Sequence, residues 1–126
     1  MAAPNIVNVN TITGVTTFKS GIGTDRAITT VISNAAASGK VLKINSLVAA
    51  GVGATCGVTV KLFNQAAGAG SSVGIAYTVS VPKFSSLVIV SKENSIYVQE
   101  DQSIAAFKQA NTGGNIDIIC SYEEIS

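Results

Sequence analysis

Apolar and polar positions alternate along most of this chain with a period of two. Between Val73 and Val81, the residues Val73, Ile75, Tyr77, Val79 and Val81 fall on one face, and Gly74, Ala76, Thr78 and Ser80 on the other. That is the period of a β-strand with one side on a core and the other on solvent or a partner. Runs rich in Val, Ile, Thr and Tyr recur between clusters of Gly, Asn, Ser and Asp. They predict strands near Ile6–Ile12, Arg26–Ser33, Val41–Ala49, Thr55–Asn64, Val73–Val81, Ser86–Ser91, Ile96–Gln99, Ile104–Gln109 and Ile116–Glu123, with a shorter one at Val15–Lys19. Leu87–Val90 is apolar on both faces. It predicts a strand covered by the opposite sheet on one side and by another subunit or a loop on the other. Helical periodicity is nearly absent, because Asn34–Ser38 and Ala66–Gly70 are too short and too Gly/Ser-flanked to nucleate a helix.

The connections carry turn chemistry at Ser38-Gly39, Gly51-Val52-Gly53, Gly68–Ser72, Lys92–Ser95 and Asn111–Asn115. Thr112-Gly113-Gly114-Asn115, between two strand runs, reads as a hairpin turn. Many short strands with turns every 8–12 residues or so point to an all-β fold. We expect one antiparallel β-sandwich domain over residues 1–126, jelly-roll-like, with an immunoglobulin-like sandwich as the alternative. Pro82, lacking an N–H, is expected to end the strand before it or to lie at an edge. Tyr97 is expected to bury its ring while its hydroxyl finds a partner.

Composition narrows the function classes. Only 12% of the 126 residues are charged and 47% are hydrophobic, whereas disordered chains are charge-rich and apolar-poor. No apolar run approaches the roughly 20 residues a membrane helix needs. The nearest, Leu47–Gly57, is short and Gly-rich. The opening MAAPNIVNV lacks a basic region and a long apolar core, so it does not read as a secretory signal. A surface of Ser, Thr, Asn, Gly and Ala suits a protein packed against copies of itself or a partner, and we expect a homo-oligomer. The net charge of +1 hides a polarity: residues 1–92 carry +6 and residues 93–126 carry −5. Complementary patches would favour head-to-tail contacts. A fold that interleaves the two segments would cancel them.

The inventory of reactive groups is short. There is no histidine, which removes Ser–His–Asp and Cys–His arrangements and His-containing zinc sites. Cys56 and Cys120 lie in period-2 runs with apolar neighbours and read as buried thiols of an intracellularly assembled protein. No phosphate loop or nucleophile elbow occurs. Glu100-Asp101 and Glu123-Glu124 are sequence neighbours, which a strand points to opposite faces, so neither pair forms a glycosidase-type dyad. Glu100–Ser103 reads as a solvated turn without the spacing of a calcium loop. The lysines are dispersed and aromatics few, unlike a nucleic-acid face. We expect no enzyme activity, no cofactor, no metal, no nucleic acid and no membrane. The candidate interface is the acidic end: Glu100, Asp101, Tyr122, Glu123 and Glu124. Its closing hexapeptide Ser121–Ser126 reads as a docking strand or a frayed end.

Several segments carry a family resemblance: Val81–Val90 (VPKFSSLVIV), Ser95–Ile104 (SIYVQEDQSI) and the closing SYEEIS, together with MAAPNIVNV, Thr11–Gly14 and Ser38–Asn45. These resemble the small virion structural proteins of marine cyanobacterial phages with contractile tails. The resemblance implies a non-enzymatic particle component, assembled in the host cytoplasm and resident in the virion. Its partners would be copies of itself and other virion proteins, either the major capsid protein or neck and tail proteins. A capsid decoration or cement protein is the leading expectation. A neck, collar or tail component that forms a ring or attaches fibres comes second. A carbohydrate-binding fibre-tip module ranks lower, because the loops are rich in Gly, Ala and Ser and poor in aromatic rings.

Overall fold

The structure, a computed structural model, describes residues 9–23, 27–109 and 114–126. The first three residues of the expected Ile6–Ile12 strand, the start of Arg26–Ser33 and most of the Asn111–Asn115 turn lie outside these residues, and of the described part of Ile6–Ile12 only Ile12 belongs to a strand. Nine strands occur among the described residues: β1 (Ile12–Ile22), β2 (Thr29–Asn34), β3 (Val41–Val52), β4 (Cys56–Phe63), β5 (Ser72–Val81), β6 (Ser86–Val90), β7 (Ile96–Val98), β8 (Gln102–Lys108) and β9 (Asn115–Ile125). Single 3₁₀ turns at Ala66–Gly68 and Lys92–Asn94 stand where the Ala-rich and Lys92–Ser95 turn signals fall.

All strand pairs are antiparallel, in two sheets. The first has the order β1-β9-β3-β6, with β7 continuing the β6 side of β3; the second has the order β2-β8-β4-β5. If β6 and β7 count as one interrupted strand, the pairs β1/β9, β2/β8, β3/β6–β7 and β4/β5 are those of one long hairpin. Rolling it up adds the pairs β9/β3 and β8/β4. This is the jelly roll, and it excludes the immunoglobulin order, in which the first strand does not pair with the last.

The core fills the space between the sheets. Ile44, Leu47 and Ala49 of β3 and Ile116, Ile118 and Cys120 of β9 meet Val58 and Val60 of β4 and Ile104 and Ala106 of β8. All are essentially inaccessible to solvent. At one rim, the turn Pro82–Ser85 closes onto the end of β3. Gly51 N–H donates to Ser85 O (3.0 Å) and Phe84 N–H donates to Gly51 O (3.1 Å). A Cβ at Gly51 would stand 2.6 Å from Pro82 O, so only glycine allows this approach. Pro82 follows the last residue of β5, as its missing N–H demands.

Three expectations are corrected. The short Val15–Lys19 strand is the middle of the eleven-residue β1. The closing residues neither fray nor project, because β9 runs to Ile125 between β1 and β3. The alternation in β5 does not hold along its length. Val58 pairs with Val79, Val60 with Ala76 and Lys61 with Gly74, so β5 carries an extra residue at each of two irregularities, one beside Thr78 at φ 51°. Each extra residue turns the following side chains to the other face. Tyr77, between the two irregularities, is therefore turned outward and exposed, whereas Val81 is buried; the second shift restores the parity, and Val73, opposite Leu62, is exposed at the far end of this edge strand.

Candidate functional site

The acidic residues are tied into the fold. Asp101 Oδ1 accepts the Ala66 N–H (3.0 Å) and Glu100 Oε2 the Gly39 N–H (3.3 Å). Glu124 pairs with Lys40, which is one way the fold interleaves the positive and negative halves of the chain. Lys43 opposite Glu123 in the β3/β9 register is another. Both follow from β9 lying inside the first sheet, so the charge polarity of the sequence does not become two separate patches. Tyr122 packs its ring against the core. Burial first, and then the Glu124 carboxylate, hold its hydroxyl above the usual phenol range, with Lys40 acting in the opposite sense. The five candidates therefore cluster by strand and rim: Glu123 on the outer face of β9, Tyr122 and Glu124 on the inward side, and Glu100 and Asp101 at the β7–β8 turn.

The two outer faces of the sandwich differ. Over the second sheet, the segment 64–71 folds back onto β2 and β8. Ser103 Oγ accepts the Gly68 N–H (2.8 Å) and donates to Gln65 O (2.7 Å), and Ser33 Oγ accepts the Ala67 N–H (2.9 Å). The first sheet has no such cover among the described residues. Its register aligns Phe18 with Ile119, Ile119 with Val48 and Val48 with Val88. These four apolar side chains form one row across β1, β9, β3 and β6. Phe18 is 68% exposed, Val88 61% and Ile119 47%, and Val48 is half-buried. A shallow hollow of about 220 Å³ lies beside the row, lined chiefly by Phe18, Val48, Ala50 and Ile119. Polar rows flank it: Thr16, Ser121 and Ser46 on one side, and Asp117, Ala50 and Ser86 on the other. Asp117 already accepts the Gly21 N–H (2.8 Å), and the Thr16 and Ser121 hydroxyls bond each other (3.0 Å). Contiguous exposed apolar area of this kind marks an interaction surface.

The acidic-end reading missed this row. Its signal was the pairs of adjacent apolar residues, Ile118-Ile119 and Leu87-Val88, which place one member on each face. Phe18, Tyr77, Phe84 and Tyr97 are all exposed, which corrects the expectation that Tyr97 buries its ring. Lys61 Nζ lies 5.3 Å from the Tyr77 ring centre and 5.8 Å from that of Phe107, and Lys83 Nζ lies 4.8 Å from that of Phe84. No group of three His, Cys, Asp or Glu side chains able to hold a metal occurs among the described residues.

Both cysteines are fully buried, as the strand pattern predicted. Burial pushes the Cys120 thiol up to about 11 from an ordinary 9.0. Below pH 9 the thiol is protonated in the folded and unfolded chain alike. Between about pH 9 and 11 only the unfolded chain ionises, so stability falls as pH rises. The full loss is roughly 2–3 kcal/mol. Urea unfolding at pH 8 to 11 should show this decline, flattened in Cys120→Ala. An equal slope in both proteins would assign it to another group, Tyr122 first.

No family model and no curated protein matches the chain. Among solved structures it is similar to one reported under the words "Bacillus endospore appendages form a novel family of disulfide-linked pili". The TM-score is 0.54 at 15% identity, over 92% of this chain and 88% of that chain. At that identity the likeness is one of fold: the two-sheet β domain is shared.

Proposed function

We propose that this chain is a non-enzymatic structural subunit that works in many copies, and that it decorates or cements the head shell of a phage particle. The observation that carries the structural-subunit reading is the open apolar row across the first sheet, on a fold in which Glu100, Asp101, Asp117 and Glu124 are engaged internally and both thiols are buried. The virion setting rests on the sequence resemblance of Val81–Val90, Ser95–Ile104 and the closing SYEEIS.

A second reading, a ring- or filament-forming component of a neck, tail or appendage, is favoured by the likeness in fold to a pilus protein. That protein belongs to a family described as disulfide-linked. Cys56 and Cys120 are both fully buried, so we expect contacts between copies of this chain to be non-covalent. The sugar-binding reading is weakened by Lys61 and Lys83, which lie against the rings of Tyr77 and Phe84 that a glycan would need.

Copy number in purified particles, measured by quantitative mass spectrometry, separates the first two readings. On the order of hundreds of copies means a shell protein, whereas a ring requires a small cyclic number, about six or twelve. A particle in which the chain is absent removes the virion setting.

A further inference from the structure

The apolar row sits in a pattern that complements itself. On the outer face of the first sheet, Glu123 of β9 and Lys43 of β3 are register partners, one on each side of the line between the two central strands. In the apolar row, Ile119 and Val48 hold the same relation across that line, with Phe18 and Val88 outside them. A two-fold axis parallel to the strands and lying over that line would set β9 on β3 of a second copy and β1 on its β6. Each row would then meet its own counterpart. Ile119 would face Val48, Phe18 would face Val88, and each Glu123 would face a Lys43. The four charges would alternate in sign at the corners of a square.

We propose that two copies of this chain pack through the outer faces of their β1-β9-β3-β6 sheets about this axis. The inference rests on the reading of the chain as a self-assembling subunit and names the contact. Aligned sheets pack face to face about 10 Å apart with a crossing angle near −30°. That spacing suits interleaved Phe18, Val88, Ile119 and Val48 side chains, and the hollow beside Phe18 gives the second copy's Val48 and Val88 a place to seat. Asp117 keeps its Gly21 partner, so it enters the contact with a hydrogen bond already made. Four strands over about eight residues make a face of roughly 19 by 27 Å. Some 500 Å² from each copy lies at the low end of specific interfaces. The isolated pair should therefore be weak and reinforced where many copies are held together. The second sheet offers no such row, because residues 64–71 lie over β2 and β8 and Lys61 lies against the rings of Tyr77 and Phe107.

The test uses the full chain and three pairs of measurements by sedimentation and cross-linking. Lys43→Glu and Glu123→Lys should each weaken self-association at least tenfold, since one makes the square all negative and the other all positive. Mixed in equal amounts, the two variants should associate with each other more tightly than either does with itself, and 0.5 M salt should abolish the preference. Phe18→Cys mixed with Val88→Cys should give a heterodimer with a short bismaleimide. The double variant should not close on itself, because β1 and β6 lie three strands apart in one chain. Because Phe18 and Val88 are exposed, the variants should fold, and circular dichroism checks this. An oligomer indifferent to all four substitutions would overturn this contact and leave the assembling-subunit reading standing. A chain that stays monomeric at millimolar concentration would overturn both.

Discussion

Leu47→Ala is expected to destabilise the folded chain by about 3–5 kcal/mol, with Phe18→Ala changing stability by no more than about 0.5 kcal/mol. Both residues are large and apolar, and both lie in the first sheet. Leu47 is fully buried on the inner face of β3, opposite Cys120 of β9 and Val90 of β6. Its truncation removes transfer free energy and leaves a cavity that the tightly paired strands cannot close. Phe18 has two-thirds of its surface in solvent, so little is lost from the single chain when its ring is removed. Chemical denaturation of the two variants reads the difference. A Phe18→Ala chain as unstable as Leu47→Ala would mean that the outer row belongs to the fold and is not a surface kept for a partner. The contrast matters for function because Leu47 and Val48 are adjacent in sequence, and hydrophobicity alone does not say which of them serves the core.

That ambiguity explains how much was legible in the sequence. The positions of β3 to β9 follow from period-two alternation and turn residues, and Gly39, Gly53, Gly68 and Gly70 take positive φ where the pattern put turns. The jelly-roll order was preferred from strand number and spacing, which favour a few architectures; the pairing of β1 with β9 decided it. Alternation failed where the backbone carries extra residues. In β5 nothing in Tyr77-Thr78-Val79 announces the irregularity that sends Tyr77 outward, because a bulge is fixed by the register of both strands together. The candidate site was harder to see. Glu100, Asp101 and Glu124 looked like a free acidic end because sequence shows charge without its partners, and those partners, Gly39, Ala66 and Lys40, come from distant segments. The row Phe18–Ile119–Val48–Val88 draws one residue from each of four strands, and only the register brings them into line.

Asn34→Ala is expected to cost about 3 kcal/mol, a large effect for a polar side chain. Asn34 is 3% exposed at the end of β2. Its side-chain amide donates to Lys40 O (2.9 Å) and to Val98 O (3.1 Å), and its oxygen accepts the Ser38 hydroxyl (2.6 Å). One residue of the second sheet thus holds the turn into β3 and the end of β7, both in the first sheet. Truncation leaves backbone carbonyls short of a donor in a site closed to solvent, at about 1–3 kcal/mol for each group left unsatisfied. Asn34→Asp keeps the acceptor for Ser38 but replaces both donors with a carboxylate against two carbonyl oxygens, so it should be no milder at neutral pH. Ser38→Ala removes the hydroxyl with its bonds to Asn34 Oδ1 and to the Lys40 N–H but leaves both amide donors of Asn34 in place, and should cost about 1 kcal/mol. Denaturation of the three variants and of Asn34→Ala combined with Ser38→Ala measures the coupling. A loss under 0.5 kcal/mol for Asn34→Ala would show that the rim is held without it. If the expected loss is found, the rim between the sheets is fastened by hydrogen bonds as well as by packing. The same turn positions Lys40 for Glu124 and starts the strand that presents Lys43, so the outer face depends on a residue of the opposite sheet.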